Sequence, residues 1–512
     1  MTERNCLRLR MAFSNPYSLI VLLWSICYIW RPLYLGFYSD DYTVLFVPFK
    51  FYPASEWLNY YISLYPNRIL AGVFSYGLLS AFQVNPFLWQ LFGAMVVLAE
   101  SLLFFKALRI LNDLQPARLD CMVLALISCL WIINPFSFGF TAWPAHMATG
   151  LCVVAFLLAF IAYFQRRFLA SFTLYSVSCL TLEAYYFQFV LFLGLSWIYQ
   201  HKFSFKHTTL VRHLAVFSFF QLSFILYNRL IQNGTRKNFN PEFIFTRVFG
   251  VVRNPAYWTE ALIPFLILTF FLVLLIRNLR RIRDRSIEQH HAALMLIGFC
   301  ALVNLLMYMS VGYSIRPFGI ASKTTIVVSA LSIFTVFVLA QRFPQRARNV
   351  LIIGMLLFAP MFIQQTKDWA DSWLLQQKVI RAFPAEVIAM EGRGETLLAI
   401  VPNRVNSVLV FEESWALGPA LHAHYAFLRE SKVEYVTHKF GTFSATRTAY
   451  DGGKITQVGR LSGHVSSGPE NQNELLLWNY FDGSLRRVNR PFVLEEDLSL
   501  NYLNSISTVL IE

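Results

Sequence analysis

YSLIVLLWSICYIWRPLYLGFYSDDY, residues 17–42, runs through apolar and aromatic side chains and then sets two aspartates side by side. A bilayer core of about 30 Å asks for about 20 such residues in a helix. Carboxylates are costly in hydrocarbon, so a pair placed at the mouth of this segment needs a reason. The start MTERNCLRLR is basic, and no small-residue cleavage site follows the apolar run. That pattern predicts a retained first helix rather than a removed signal peptide.

The rest of the chain has the same character. Of its 512 residues 56% are hydrophobic, 17% aromatic and only 14% charged, against about 25% charged in soluble domains. Mean hydropathy is +0.49. A net charge of +14 would suggest nucleic acid in a soluble protein. Here Lys and Arg sit mainly in short loops between apolar runs, which is membrane topology, and no nucleic-acid partner is expected. All seven cysteines lie in the N-terminal tail or in apolar segments, with no CxxC and no zinc spacing, so no disulfide framework is expected.

The apolar runs predict about eleven membrane helices, near 17–36, 87–106, 119–134, 147–164, 168–182, 184–200, 214–230, 261–276, 292–311, 324–341 and 350–364. The stretch ILAGVFSYGLLSAFQ at 69–84 is shorter and closes on Asn-Pro, and charge decides its placement. With the N-terminus cytoplasmic and 69–84 lying in the interface, the inside loops and the tail hold about eighteen Lys and Arg, roughly twice the number outside. Counting 69–84 as a span reverses every later loop and breaks the rule. The expected fold is therefore a multi-pass α-helical membrane domain over 1–364. Its long first outside loop, 38–86, carries the interfacial helix 69–84. Residues 365–512 form a small extracytoplasmic domain of mixed α/β type. That domain opens with TKDWADSWLLQQKVIRAF, an amphipathic pattern with Trp369 and Trp373 one turn apart. Strand-like runs follow, TLLAIVP, SVLVFE, VEYVTHKF, ELLLWNYF and STVLIE, separated by turn residues. No internal repeat, low-complexity tract or phosphate-binding Gly loop is present; EGRGE is a turn.

Polar groups gather in the outside loops. Asp40 and Asp41 are ionised at neutral pH and can accept a proton from an acceptor hydroxyl. A second reading is a helix cap, with SDD satisfying the first turn of a short helix. Arg68 in YPNRIL and Lys50 share that loop, as phosphate ligands or as cations snorkelling to headgroups. His146 stands at the foot of a helix beside Trp143, to bind substrate or to pack. Glu183 lies between two apolar segments, as a functional acid or a polar hairpin tip. The loop NGTRKNFNPEFIFTRVFGVVRNPAYW brings Arg236, Lys237, Arg247 and Arg253, enough to cover a site or to touch lipid phosphates. GYSIRPFGIASK brings Arg316 and Lys323, of which Arg316 is the better phosphate ligand.

SDDY directly after the first helix, NRILAGVFSYGLLSAFQVNP before the second span, and an aromatic loop opened by Asn-Pro after the third together resemble membrane-embedded glycosyltransferases of the GT-C superfamily. The likeness covers roughly the first 340 residues, and the order of the motifs carries it more than any one of them. It implies a polyprenyl-phosphate sugar donor, a glycan or lipid acceptor at the outer face of the inner (plasma) membrane, and inverting transfer. It further implies Asp40 or Asp41 as general base and Arg68, Arg316 and Lys323 at the donor phosphate, with Lys50, His146, Glu183 and Arg247 as further substrate contacts. No Asp-x-Asp announces a metal, so a divalent ion stays open, and no WWDYG-like motif points to a protein acceptor. Two rival readings are a polymerase or ligase of lipid-linked glycans and a transporter or flippase. The latter predicts paired repeats and broken helices at the bilayer midplane. A non-catalytic assembly partner would make the acidic pair dispensable.

Overall fold

Asn-Pro pairs open three helices of the protein. Asn15, Asn85 and Asn134 each accept from a backbone N–H two or three residues on, those of Tyr17, Leu88 and Phe136, at 3.0, 3.3 and 2.9 Å. The proline that follows stands in the first helical turn. Asparagine satisfies an orphan donor there, and proline has no donor to leave unsatisfied. The computed structural model describes residues 15–38, 41–115, 118–199, 207–231, 273, 288–310, 324–384 and parts of 396–510.

The helices are α1 (Pro16–Tyr28), α2 (Arg31–Tyr34), α3 (Val47–Phe51), α4 (Ala54–Leu64), α5 (Ile69–Phe82), α6 (Pro86–Asp113), α7 (Cys121–Ile132), α8 (Phe138–Ala142), α9 (Pro144–Phe164), α10 (Phe168–Thr181), α11 (Phe189–Ile198), α12 (His207–Ile231), α13 (Gln289–Ser310), α14 (Ile326–Arg342) and α15 (Pro344–Arg381). Among the described residues six stretches are long and apolar enough to cross a membrane: Pro16–Tyr34, Pro86–Asp113, Pro144–Phe164, Thr208–Leu226, Gln289–Met309 and Pro344–Arg381. The chain is a helical membrane protein.

Helix length does not support the expected count of eleven. α5, α7, α10 and α14 are apolar but shorter. At 1.5 Å per residue, the 12 residues of α7 rise only about 18 Å against about 30 Å of hydrocarbon. The expected span 184–200 divides into a single tight turn, Glu183–Tyr185, and the 10-residue α11. The expected span 261–276 lies outside the described residues except for Val273. At the other extreme, the span expected at 350–364 and the amphipathic helix after it are one helix of 38 residues, α15, with Pro360 inside it. Gly354 lies within the helix and Thr366 and Asp368 at the junction of the two patterns, yet none of them ends it, and the helix absorbs the donor missing at Pro360.

The chain divides into two compact units, one of Met1–Leu33 with Leu58–Gln365 and one of Tyr34–Trp57 with Thr366–Glu512. In the first, α9 packs on α6 and α10, and α7 packs on α1, α6 and α14. Lipid is as apolar as a leucine side chain, so such helices are held by close packing and hydrogen bonds rather than by escape from water. A Cβ on Gly93 would run into the Thr141 carbonyl and Met147, so this glycine sets how near α6 comes to α8 and α9. Trp24 donates to the Ala94 carbonyl at 2.7 Å and Tyr28 to that of Ile132 at 3.0 Å, tying α1 to α6 and α7. Rings of Phe156, Tyr175, Phe192 and Phe217 fill the space between α9, α10, α11 and α12. Large apolar side chains such as Phe219 on α12 and Leu356 on α15 face outward, at 74% and 68% exposure, as a lipid-facing surface does.

In the second unit, β1 (Thr396–Ile400) lies parallel to both β4 (Glu434–His438) and β8 (Leu475–Asn479), with β9 (Ser484–Val488) antiparallel on β8. Leu397 and Ala399 pair with Leu476 and Trp478, and all four are buried on one face, as a period of two requires. β2 (Arg404–Val405) and β3 (Val408–Leu409) form a short ladder. A second sheet is antiparallel in the order β11 (Ile506–Leu510), β10 (Phe492–Glu496), β5 (Ala445–Asp451), β6 (Lys454–Gly459), β7 (Val465–Ser467).

Candidate active site

The acidic segment belongs to the second unit. Gly36 brings the backbone flat against the Trp373 ring, which a Cβ there would strike. Phe37 then packs edge-on against Trp373 and Phe46, at 5.9 and 4.4 Å between centroids. Tyr38 packs edge-on against Trp369 at 4.5 Å and donates its hydroxyl to the Trp369 carbonyl at 2.9 Å. One side of α15 thus holds the segment through the two tryptophans spaced a turn apart.

Asp41 begins a six-residue π-helical turn, Asp41–Phe46, and is fully buried. Its Oδ2 accepts from the Tyr38 N–H at 2.7 Å, while its own N–H donates to the Tyr38 carbonyl at 2.9 Å. The two bonds close a tight turn over Tyr38–Asp41, with the Asp41 side chain reaching back to the Tyr38 amide. Next along, Tyr42 donates to Gln376 Oε1 at 3.1 Å, and Gln376 donates to the Val410 carbonyl at 2.9 Å. Burial, and then the Asp41 charge, hold the Tyr42 phenol well above its ordinary value, so it remains a donor at any physiological pH. Lys50, in the last turn of α3, is exposed.

Arg68 and Glu183, expected separately, are brought together in the first unit. Arg68 Nε and Nη2 donate to Glu183 Oε2 and Oε1 at 2.8 and 2.6 Å, a two-pronged pairing across 115 residues of sequence. The Arg68 side chain is 10% exposed and that of Glu183 24%. Removing one partner of a fully buried pair costs about 3–5 kcal/mol, and less where water reaches one member, as it does here. Arg68 also lies over the Tyr65 ring, 5.3 Å from its centroid. The charges of both partners act on the hydroxyls of Tyr61 and Tyr186. Burial pushes the Tyr61 phenol up to about 12 against the pull of Arg68, leaving a neutral hydrogen-bonding group. Tyr186 is 5% exposed, and its hydroxyl has no hydrogen-bond partner among the described residues.

Glu183 stands on a corner that the surrounding helices fix. Tyr175 of α10 donates to the Tyr185 carbonyl at 2.8 Å, and Asn304 of α13 to that of Ala184 at 2.8 Å. Gln221 of α12 accepts from the Phe187 N–H at 2.9 Å, and Gln188 donates to the Cys300 carbonyl at 3.2 Å. Phe187 has φ 64°, a left-handed conformation that a bulky side chain rarely takes. Strain of this kind persists where the surroundings over-determine it. The corner partners Tyr175, Gln221 and Asn304 were not singled out in the sequence, although a lone amide in FFQLSF or LVNLLM is a legible signal.

His146 packs its ring against Trp143 and Phe140, at 4.4 and 5.9 Å between centroids, in the first turn of α9. Two buried ionisable side chains of the first unit were also missed. Glu100 accepts from the Trp131 indole at 2.8 Å. Arg31 lies within 4.0 Å of the Tyr28 and Phe138 ring centroids. Asp40, Arg236, Lys237, Arg247, Arg253, Arg316 and Lys323 lie outside the described residues. Among the described residues no three His, Cys, Asp or Glu side chains gather to hold a metal ion. No known family model matches the chain, and no curated protein does.

Proposed function

We propose that this chain is a membrane glycosyltransferase of GT-C type, with about eleven helices in the bilayer, its N-terminus in the cytoplasm and its C-terminal domain outside. It moves a sugar from a polyprenyl-phosphate donor to a glycan or lipid acceptor at the outer face. The observation that carries the reading is the acidic pair itself, set directly after the first apolar helix in a chain otherwise poor in carboxylates. Asp41 gives its Oδ2 to the Tyr38 amide, so we assign the base to Asp40. Asp40 takes the proton of the acceptor hydroxyl as its oxygen attacks the anomeric carbon. The bond from that carbon to the phosphate oxygen breaks, polyprenyl phosphate leaves with the electron pair, and the anomeric configuration inverts. Arg316 and Lys323 neutralise the leaving phosphate.

The test compares surface glycans and lipids of cells carrying wild type, Asp40→Asn and Asp41→Asn at equal protein level in the membrane, by mass spectrometry. The expected result is loss of one sugar unit with Asp40→Asn. Full glycosylation with both variants would sink the transferase reading and favour transport or assembly.

A further inference from the structure

We infer that the first unit binds a monovalent metal cation inside its helix bundle, on the Glu100 carboxylate and the side-chain oxygens of Gln188, Asn304 and Tyr185. All four residues belong to Leu58–Gln365, and none is assigned to the sugar transfer. Each is at most 2% exposed. Glu100 stands midway along α6, a helix long and apolar enough to cross the membrane. Its Oε2 accepts from the Trp131 indole at 2.8 Å, and among the described residues its carboxylate forms no ion pair. A buried acid is paired, coordinates a metal or takes up a proton. Within a membrane span such a group marks a functional site by default.

The second observation is a set of orphaned oxygens. Gln188 donates its amide N–H to the Cys300 carbonyl at 3.2 Å, and Asn304 donates to that of Ala184 at 2.8 Å. These bonds fix which end of each amide is nitrogen. Gln188 Oε1 and Asn304 Oδ1 are left buried with no hydrogen-bond partner among the described residues. The two amides are neighbours. Cys300 and Asn304 are a turn apart on α13, and the carbonyl that Gln188 reaches is the one the Asn304 N–H bonds in an α-helix. The Tyr185 hydroxyl, on the corner between Ala184 and Gln188, is likewise buried without a partner among the described residues. Burial holds this phenol well above its ordinary value, and Cys152, Glu100 and Tyr308 push it the same way. It thus lies within electrostatic reach both of Glu100 and of Tyr308, a turn beyond Asn304 on α13.

Ligands that are all oxygen suit a hard cation. One carboxylate balances one positive charge, which argues for sodium or potassium. Among the described residues no three His, Cys, Asp or Glu side chains gather, so a calcium or magnesium ion would lack the charge it asks for. A bound monovalent ion gives Glu100 its missing partner and satisfies the amide oxygens in the same step. It also ties α6 to α13 through the corner, so binding stabilises the fold.

The experiment follows thermal unfolding of the full chain in lipid nanodiscs prepared without sodium or potassium. Sodium, potassium and calcium chloride are each titrated against choline chloride at constant ionic strength. Sodium or potassium should raise the melting point with the logarithm of its concentration once the site fills, while calcium matches choline. Glu100→Gln keeps an acceptor for Trp131 but removes the charge, and should raise the half-saturating concentration by about tenfold or more. Gln188→Met removes one oxygen and should weaken the same response by about threefold or more. If Gln188→Met does not fold, Glu100→Gln decides alone. A wild type that responds equally to sodium, potassium and choline overturns the inference, and so does a larger response to calcium. An undiminished response in either variant overturns it as well, because the ion would then sit elsewhere. None of these outcomes bears on the transferase reading, which the glycans of Asp40→Asn cells test separately.

Discussion

Asp41 shows how adjacent identical residues part company. Its Oδ2 is folded back on the Tyr38 amide and closes the turn. Asp41→Ala should therefore lower stability by about 1 kcal/mol, the usual net worth of one hydrogen bond, while Asp41→Asn keeps an acceptor and stays near wild type. Thermal unfolding of the purified protein distinguishes the two, and equal melting points would show that this hydrogen bond contributes nothing. The pair Arg68–Glu183 admits a sharper test at the same scale. Arg68→Ala or Glu183→Ala alone strands a charge, whereas removing both strands none. The double variant should be more stable than the sum of the singles predicts, by about 1–3 kcal/mol. Strict additivity in the cycle would mean that the two-pronged geometry carries no coupling. Each residue was legible in the sequence as a charge out of place, Arg68 in a polar loop and Glu183 between apolar runs. Their pairing was not, because 115 residues separate them and no local pattern encodes that closure.

At the scale of elements, polar atoms set down in greasy helices do the positioning. Asn304 on α13 donates to the Ala184 carbonyl and so fixes the residue next to Glu183. Asn304→Leu should leave that carbonyl unpaired in a buried place, at about 1–3 kcal/mol, and loosen the corner. Hydrogen exchange at 183–188 should rise relative to α9, and protection equal to wild type would mean the corner is held without it. The Asn-Pro pairs read plainly as breaks between helices, but their meaning as starts appears only when Asn85 is seen capping α6. α15 teaches the converse. Its apolar half and its Trp369–Trp373 half look like two elements because their composition differs, yet backbone continuity depends on the absence of a stop, and Pro360 alone does not provide one. The strands followed the same logic. β1, β4, β8 and β11 were legible because β-branched and leucine-rich runs bounded by turn residues announce them. ATRTAYD and KITQVG, which form β5 and β6, are polar enough to pass for loop.

For the whole molecule the open quantity is which side of the membrane each loop meets, and the basic loops argue it. Arg118 stands in the turn between α6 and α7, where Asn112 exchanges hydrogen bonds with Leu119 at 3.1 and 2.8 Å and holds the chain in a tight reversal. Glu56 opens α4 beyond the first span, and Arg486 lies on β9; all three are exposed. If α5 lies in the interface, as the distribution of Lys and Arg argues, one crossing by α6 separates Glu56 from Arg118. If α5 crosses as well, the two stand on the same side. Length does not decide between the two, since α10 has 14 residues as α5 does, and the distribution of charge carries the argument. Single cysteines placed at 56, 118 and 486 in a chain cleared of its own should divide accordingly. Those replacing Glu56 and Arg486 should react with an impermeant maleimide in intact cells, and the one replacing Arg118 only after permeabilisation. Labelling at 56 and 118 alike would make α5 a span and reverse every loop after it, and the outer-face assignment of the Glu183 corner would go with it.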